Sequence, residues 1–290
     1  MTTFLTQQGA SKDAVQHHYD CSNEFYALWL DESRTYSAAL FEPGDSLERA
    51  QQRKIDHHIA QSRAQSKARV LDVGCGWGAT LRRLTQDAGV GTAVGLTLSA
   101  AQAEFIRAQS YAGVEVRLES WQDHDRDARY DSVISVGAFE HFARPDLDDS
   151  QMVDAYRAFF ARCHEWLKPG GYLSLQTIAY GTAKREQINQ FILEHIFRES
   201  DLPTLGHILR AAEGLFEVTL VRNDREHYAE TFREWSRRMR AAKSQAIALV
   251  GDAEVKKFET YQGLFTIGFH TGAMQLLRLT LRRLDARPVR

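Results

Sequence analysis

The stretch Leu71-Asp72-Val73-Gly74-Cys75-Gly76-Trp77-Gly78 decides the fold. It ends the apolar run ARVLDVG (68–74), which reads as a short strand. It also opens ATLRRLTQDAG (79–89), an amphipathic helix with a glycine stop. Glycines at 74, 76 and 78 permit positive φ and leave bare backbone for a ligand to lie against. The spacing is GxGxG rather than the GxGxxG of dinucleotide sites, and an acid, Asp72, stands two residues before the first glycine. A carboxylate there opposes a pyrophosphate but suits a cationic, phosphate-free ligand. S-adenosylmethionine, positive at both its ammonium and its sulfonium, is the natural candidate. A tight turn whose glycines serve only packing is the competing reading.

Outward from this turn the alternation continues. TAVGLTLS (92–99) reads as strand, AAQAEFIRAQS (100–110) as helix, and VEVRLES (114–120) and YDSVISVGAF (130–139) as strands. A helix over about Leu147 to Leu167 stops at Lys168-Pro169-Gly170-Gly171, and the strand YLSLQTIAY (172–180) follows. Strands alternating with helices predict an α/β fold, a doubly wound, mostly parallel sheet covered on both faces. Residues 67–182 are this core. Residues 1–66 read as an N-terminal helical cap segment, with Asp45-Ser46-Leu47-Glu48 as an N-cap and reciprocal Glu. Residues 183–290 read as a helical substrate cap with terminal strands completing the same domain. Its parts are a helical stretch from Tyr180 through Arg198, a helix over TLGHILRAAEG and a strand over LFEVTLVRND. Helices at 228–250 and 252–264 and a last strand, MQLLRLTLRRL, complete it.

Composition bounds the function. The 290 residues carry 36 Lys plus Arg against 38 Asp plus Glu, a balance that argues against a dedicated nucleic-acid binder. Cys21, Cys75 and Cys163 lack CxxC or Cys/His spacing, so reduced thiols in a cytoplasmic protein and no metal site are expected. The N-terminus has no basic region followed by an apolar run, and no apolar stretch reaches 18 residues.

The chain resembles the cyclopropane fatty-acid and mycolic-acid cyclopropane synthase family of S-adenosylmethionine-dependent methyltransferases. The matching stretches are VQHHYDCSNEFYALWLDESRTYSAALFE, VLDVGCGWGATLRRL, VGLTLSAAQAEF, ISVGAFEHF, KPGGYLSLQTI and HYAETFREW. The resemblance implies a Rossmann-like class I methyltransferase fold acting in lipid or natural-product biosynthesis. It places Tyr36 and Ser37 over the methionine end of the cofactor, and Asp72, Gly74, Gly76, Gly78 and Val136 along its backbone side. Thr97, Leu98 and Gln102 fall at the ribose, and Trp121 and Gln122 beside the adenine. The acid that methyltransferases of this fold carry at the end of the second strand is missing from Val94–Ser99. Glu140, His141, Gln176 and Tyr228 fall on the reacting side, Glu140 and Tyr228 facing cationic charge. Phe41, Phe139, Phe142 and Phe265 are candidates for apolar lining, with core packing as the alternative.

Cyclopropanating members are thought to hold bicarbonate as the base that closes the ring. Glu140, Ile178 and Tyr228 of that cradle remain, but its Cys position is Ala38 and its His position is Gln176. Glutamine cannot shuttle a proton, which weakens bicarbonate-assisted ring closure without touching methyl transfer. The connection between Gly181 and Pro203 is also shorter than in long-chain acyl enzymes of the family, which fits a smaller acceptor. The leading expectation is C-methylation of an alkene in a hydrophobic, acyl-lipid or carrier-bound acceptor, with or without ring formation. The alternative is amine N-methylation with His141 as base beside Glu140, and the third a non-catalytic relative. Arg233–Lys243 and the run from Ala273 are rich in Arg and Lys. They suit a membrane surface or an acidic carrier protein, or simply a solvated face.

Overall fold

The computed structural model describes residues 22–195 and 199–285. Seven strands form one sheet: β1 (Arg69–Val73), β2 (Thr92–Thr97), β3 (Val114–Leu118), β4 (Tyr130–Val136), β5 (Leu167–Tyr180), β6 (Phe216–Asn223) and β7 (Met274–Arg283). Their order is β3-β2-β1-β4-β5-β7-β6. The first five run parallel, while β7 inserts antiparallel between β5 and β6. β1 and β4 are neighbours although β2 and β3 intervene in sequence, so the chain reverses its winding direction between them. The crevice at their carboxyl ends is where open α/β sheets receive ligands.

The strands read from apolar runs are all present. α3 (Ala79–Gln86), α4 (Ala100–Gln109) and α5 (Asp149–Trp166) are the core's helices. α5 opens with a capping box between Asp148 and Gln151. Its apolar face buries Phe159, Phe160 and Trp166 against Leu173 and Leu175 of β5, each such side chain contributing about 1.5–3 kcal/mol.

The N-terminal part departs from an all-helical cap. Among its described residues only α1 (Asn23–Ala27) and α2 (Leu47–Ser62) are helical. Between them the chain is non-helical and starts with a tight turn, in which the Asp31 carboxylate accepts from the backbone N–H of Ser33 and Thr35 (3.0 and 2.8 Å). Gln51 then donates to the carbonyls of Thr35 and Ser37 (3.3 and 2.8 Å). Ser46 caps α2, accepting from Arg49 N–H at 3.3 Å. Glu48 stands one position too early for the reciprocal bond and pairs instead with Arg238 (2.7 Å).

Past Tyr180 the expected long helix is also broken. Gly181 and Thr182 donate their N–H groups to Ala273 and Gly272 carbonyls, extending the strand pairing into the connection. A single 3₁₀ turn (Arg185–Gln187) and a short α6 (Gln190–His195) follow. α7 (Leu205–Ala212), α8 (Arg225–Ala241), α9 (Lys243–Val250) and α10 (Asp252–Thr271) complete the helices among the described residues. α1, α8, α9 and α10 build a second apolar core, rich in rings, that meets the sheet at Ile178 and Leu276. No helix among the described residues is long and apolar enough to cross a membrane.

Candidate active site

A cleft of about 1050 Å³, partly open to solvent, lies at the carboxyl ends of β1, β2 and β4. The glycine turn forms its floor. Gly74 has φ +83°, and a Cβ there would stand 2.6 Å from the Ala138 Cβ, so bare backbone is needed for two loops to meet. Gly76, at φ +53°, has nothing within 4 Å of a Cβ and opens onto the cleft. Gly78 lies outside the wall. A Cβ there would press on Ile106 at 2.8 Å, so packing explains this third glycine.

Of the residues expected around the cofactor, Tyr36, Ser37, Asp72, Gly74, Gly76, Thr97, Leu98, Gln102, Trp121 and Val136 line the cleft. Gln122 does not, and Glu119 and Ser120 line it beside Trp121. Thr97 donates to Gln102 Oε1 at 2.7 Å, and Thr97 Oγ1 also accepts from Ser99 N–H (3.1 Å). The hydroxyl–amide pair at the end of β2 is thereby held in place. Trp121 rests against Phe142 and Phe159, at centroid distances of 5.3 and 5.4 Å, leaving its remaining face to the cleft. Tyr36 sits in a cage of Tyr26, Trp29 and Trp235, each 5.3–5.5 Å away.

Asp72 is 2% exposed, and no hydrogen bond among the described residues reaches its carboxylate. Burial raises its pKa, opposed by Lys54. An unpartnered buried carboxylate facing a cleft calls for a cation. Together with the open backbone at Gly76 and the Thr97–Gln102 pair, it fits a ligand with a positive end and hydroxyl groups.

Of the four residues expected on the reacting side, His141 lines this cleft and Glu140, Gln176 and Tyr228 do not. It belongs to a 3₁₀ turn (Phe139–His141) leaving β4, and its Nδ1 lies 3.3 Å from Ser200 Oγ. Burial brings its pKa down to about 4. Glu140 points the other way and is buried beside β5, where Thr177 Oγ1 lies 3.1 Å from its carboxyl. Burial pushes Glu140 up to about 7, against the backbone N–H of Glu140 itself, the Thr177 hydroxyl and the N–H of Ile178. Tyr228, on α8, packs between Phe232 and Phe269 at 4.7 and 4.6 Å. Phe142 lines the cleft, whereas Phe139 stacks on Tyr156 and Phe265 belongs to the second core.

Gln176 is fixed from two sides. Its Oε1 accepts from Arg278 Nε (2.9 Å) and lies 3.3 Å from His58 Nε2. Burial, reinforced by Arg278 and Lys54, holds His58 well below the usual histidine range. A neutral ring accepting from Ser174 at Nδ1 (2.8 Å) therefore donates from Nε2. Arg278 is 1% exposed; it also donates to the carbonyls of Ala38 and Ala39 (3.1 Å each) and pairs with Asp224. None of these partners was visible in the basic tail of the sequence. The other basic residues of those runs are largely matched by acids: Arg233 by Glu230, Arg237 by Glu234, Arg238 by Glu48 and Lys243 by Glu259.

Residues 6–279 match the family model described as mycolic acid cyclopropane synthetase. Cyclopropane mycolic acid synthase 1 of Mycobacterium tuberculosis is 34% identical over 279 residues, covering 88% of this chain and 93% of the relative. Cyclopropane mycolic acid synthase 2 of Mycobacterium leprae is 35% identical, covering 88% and 87%. The structure of the mycolic acid cyclopropane synthase CmaA1, complexed with SAH and CTAB, superposes with a TM-score of 0.86. That match has 32% identity and covers 96% of this chain and 100% of the other. Coclaurine N-methyltransferase shares the fold at a TM-score of 0.80 and 20% identity, covering 97% and 84%.

Proposed function

The chain belongs to the mycolic acid cyclopropane synthetase family and is an S-adenosylmethionine-dependent methyltransferase; on that premise we propose that it methylates an alkene carbon of a hydrophobic or carrier-bound acceptor. The observation that carries the choice of alkene over amine is that His141 is half-buried at the cleft while Glu140 turns away from it to Thr177. An amine acceptor needs a base near neutrality, and burial leaves His141 at about 4. An alkene needs no base to become a nucleophile, only alignment, dryness and groups that tolerate positive charge. The buried Glu140 and the ring of Tyr228, both outside the cofactor cleft, are suited to that side.

When bound, S-adenosylmethionine supplies a methyl group on a cationic sulfur. Asp72 balances positive charge in the cleft, Thr97 and Gln102 offer hydrogen bonds to hydroxyls, and Trp121 offers a flat apolar wall. Tyr36, wedged among three rings, excludes water at the entrance to the reacting side. The residues weaken a bicarbonate cradle. Ala38 brings only a methyl group, and Gln176, its oxygen taken by Arg278 and His58, keeps an amide N–H to donate but offers no group that shuttles a proton. The reading is therefore methyl transfer without bicarbonate. The solved relative CmaA1 is complexed with the detergent CTAB, which is consistent with a hydrophobic substrate here.

The test is incubation with methyl-labelled cofactor and a panel of unsaturated acyl lipids, carrier-bound unsaturated acids and amines. Methylated alkene products are expected, at a rate indifferent to added bicarbonate. Labelling confined to amines, or a strict bicarbonate requirement with ring formation, would refute the proposal.

A further inference from the structure

The cleft holds a second buried charge that the sequence pattern did not single out. Lys54, on α2, is 2% exposed and lines the same wall as Asp72. Its Nζ donates to Ser37 Oγ at 2.9 Å. An ammonium has three donors, and among the described residues no carboxylate lies within ion-pairing distance of this one. Asp31 and Asp72 act on it only through space. So one cleft carries a buried cation and a buried anion, neither in an ion pair. Burying even one such charge is costly unless a partner completes it.

A ligand that completes both must carry opposite charges on one small unit, as an α-amino acid group does. Asp72 meets the ammonium of that unit, which leaves its carboxylate to be met by a cation. Among the described residues, two cations line the cleft, Lys54 and Arg34. Arg34 is half-exposed and its guanidinium lies over the Phe105 ring, 4.4 Å from the centroid, whereas Lys54 is buried next to Ser37. Because Ser37 Oγ accepts from Lys54, its own proton is free to donate into the cleft, giving a second donor at the same point. Gln51 holds the Ser37 carbonyl and fixes that hydroxyl's position.

We propose that Lys54, with Ser37, anchors the α-carboxylate of the cofactor's amino-acid end, a contact that rests on the S-adenosylmethionine reading of the cleft. Burial pulls the lysine down from its usual range, and an arriving carboxylate opposes that shift by favouring the charged form.

The experiment is calorimetric titration of the cofactor-free protein with two ligands: S-adenosylhomocysteine and its analogue lacking only the carboxylate. The intact protein is expected to prefer the first by about 10- to 100-fold, the range of a charge-assisted hydrogen bond. K54M is expected to lose that preference through weaker S-adenosylhomocysteine binding, while its affinity for the decarboxylated analogue stays within about twofold. R34M, lacking the other cation of the wall, is expected to keep the preference. Equal binding of both ligands by the intact protein overturns the proposal without any variant. So does transfer of the loss to R34M, or an equal loss for both ligands in K54M. If the intact protein binds neither ligand, the cofactor reading itself fails, a result distinct from equal binding of both.

Discussion

Replacing Glu140 by Gln should make the protein more stable at alkaline pH than at acid pH, relative to the unaltered chain. Glu140 is 4% exposed, and burial raises its carboxyl from an ordinary 4.5 to about 7. A carboxyl whose folded pKa is raised keeps its proton in the folded state where the unfolded chain has already released it. Its stabilising share is therefore fully present below about 4.5 and is lost as pH climbs through about 7. At about 1.4 kcal/mol for each tenfold change in proton affinity, the whole loss is about 3 kcal/mol. About 2 kcal/mol of it falls between pH 5.5 and 8.5. Glutamine keeps the shape and an oxygen for the Thr177 hydroxyl but does not ionise. Urea unfolding of both proteins at several pH values across that range measures the difference. The stability of E140Q should gain on the unaltered protein by about 2 kcal/mol toward pH 8.5. A difference that stays flat with pH, or moves the other way, would show that this carboxyl is not held protonated by burial.

Three further outcomes are expected. G74A should destabilise more than G76A by about 1–3 kcal/mol in thermal melts, since both cost backbone strain but only the first collides with Ala138; equal losses would contradict the packing argument. R278M should cost up to about 3–5 kcal/mol by leaving the buried Asp224 with only the partly exposed Arg222 as its cation, and the double variant with D224N should recover part of it; a double variant no better than R278M would remove the pair from the account. H141A should leave the shape of the pH–rate profile between pH 6 and 8 unaltered, because His141 titrates near 4, whereas loss of a limb in that range would make this histidine a working base.

The core was legible because its signals are local. β1, β2, β4 and β5 are apolar runs closed by glycine or a polar turn, and α3 to α5 carry helical periodicity or caps. The glycine turn, Thr97, Gln102 and Trp121 were legible as a motif order. The polar floor beneath them was not. On α2 the buried positions Leu47, Gln51, Lys54, His58 and Ser62 follow helical spacing, but most are polar, so hydropathy assigns that face to solvent. Arg278 was hidden in the same way. In LRLTLRR it reads as an outward residue of an alternating strand, yet β7 is covered on both sides, and the basic side chain turns inward to Asp224 and Gln176. Glu119 lines the cleft from just past β3, not from the end of β2, so no motif of the second strand points to it.

The placement of β7 also dictates a timetable. Its neighbours β5 and β6 are both made earlier, and β6 pairs with no other strand. During synthesis β6 therefore leaves the ribosome with neither edge paired to a strand of the sheet and waits through α8, α9 and α10 for its partner. The carbonyls of Ala38 and Ala39, the amide of Gln176 and the carboxylate of Asp224 wait too, because one side chain of that late strand gathers all of them. A nascent chain ending before Met274 thus carries every described residue that lines the cleft while the polar cluster around Arg278 is still unassembled. That cluster arrives with the final strand, as a latch closed last.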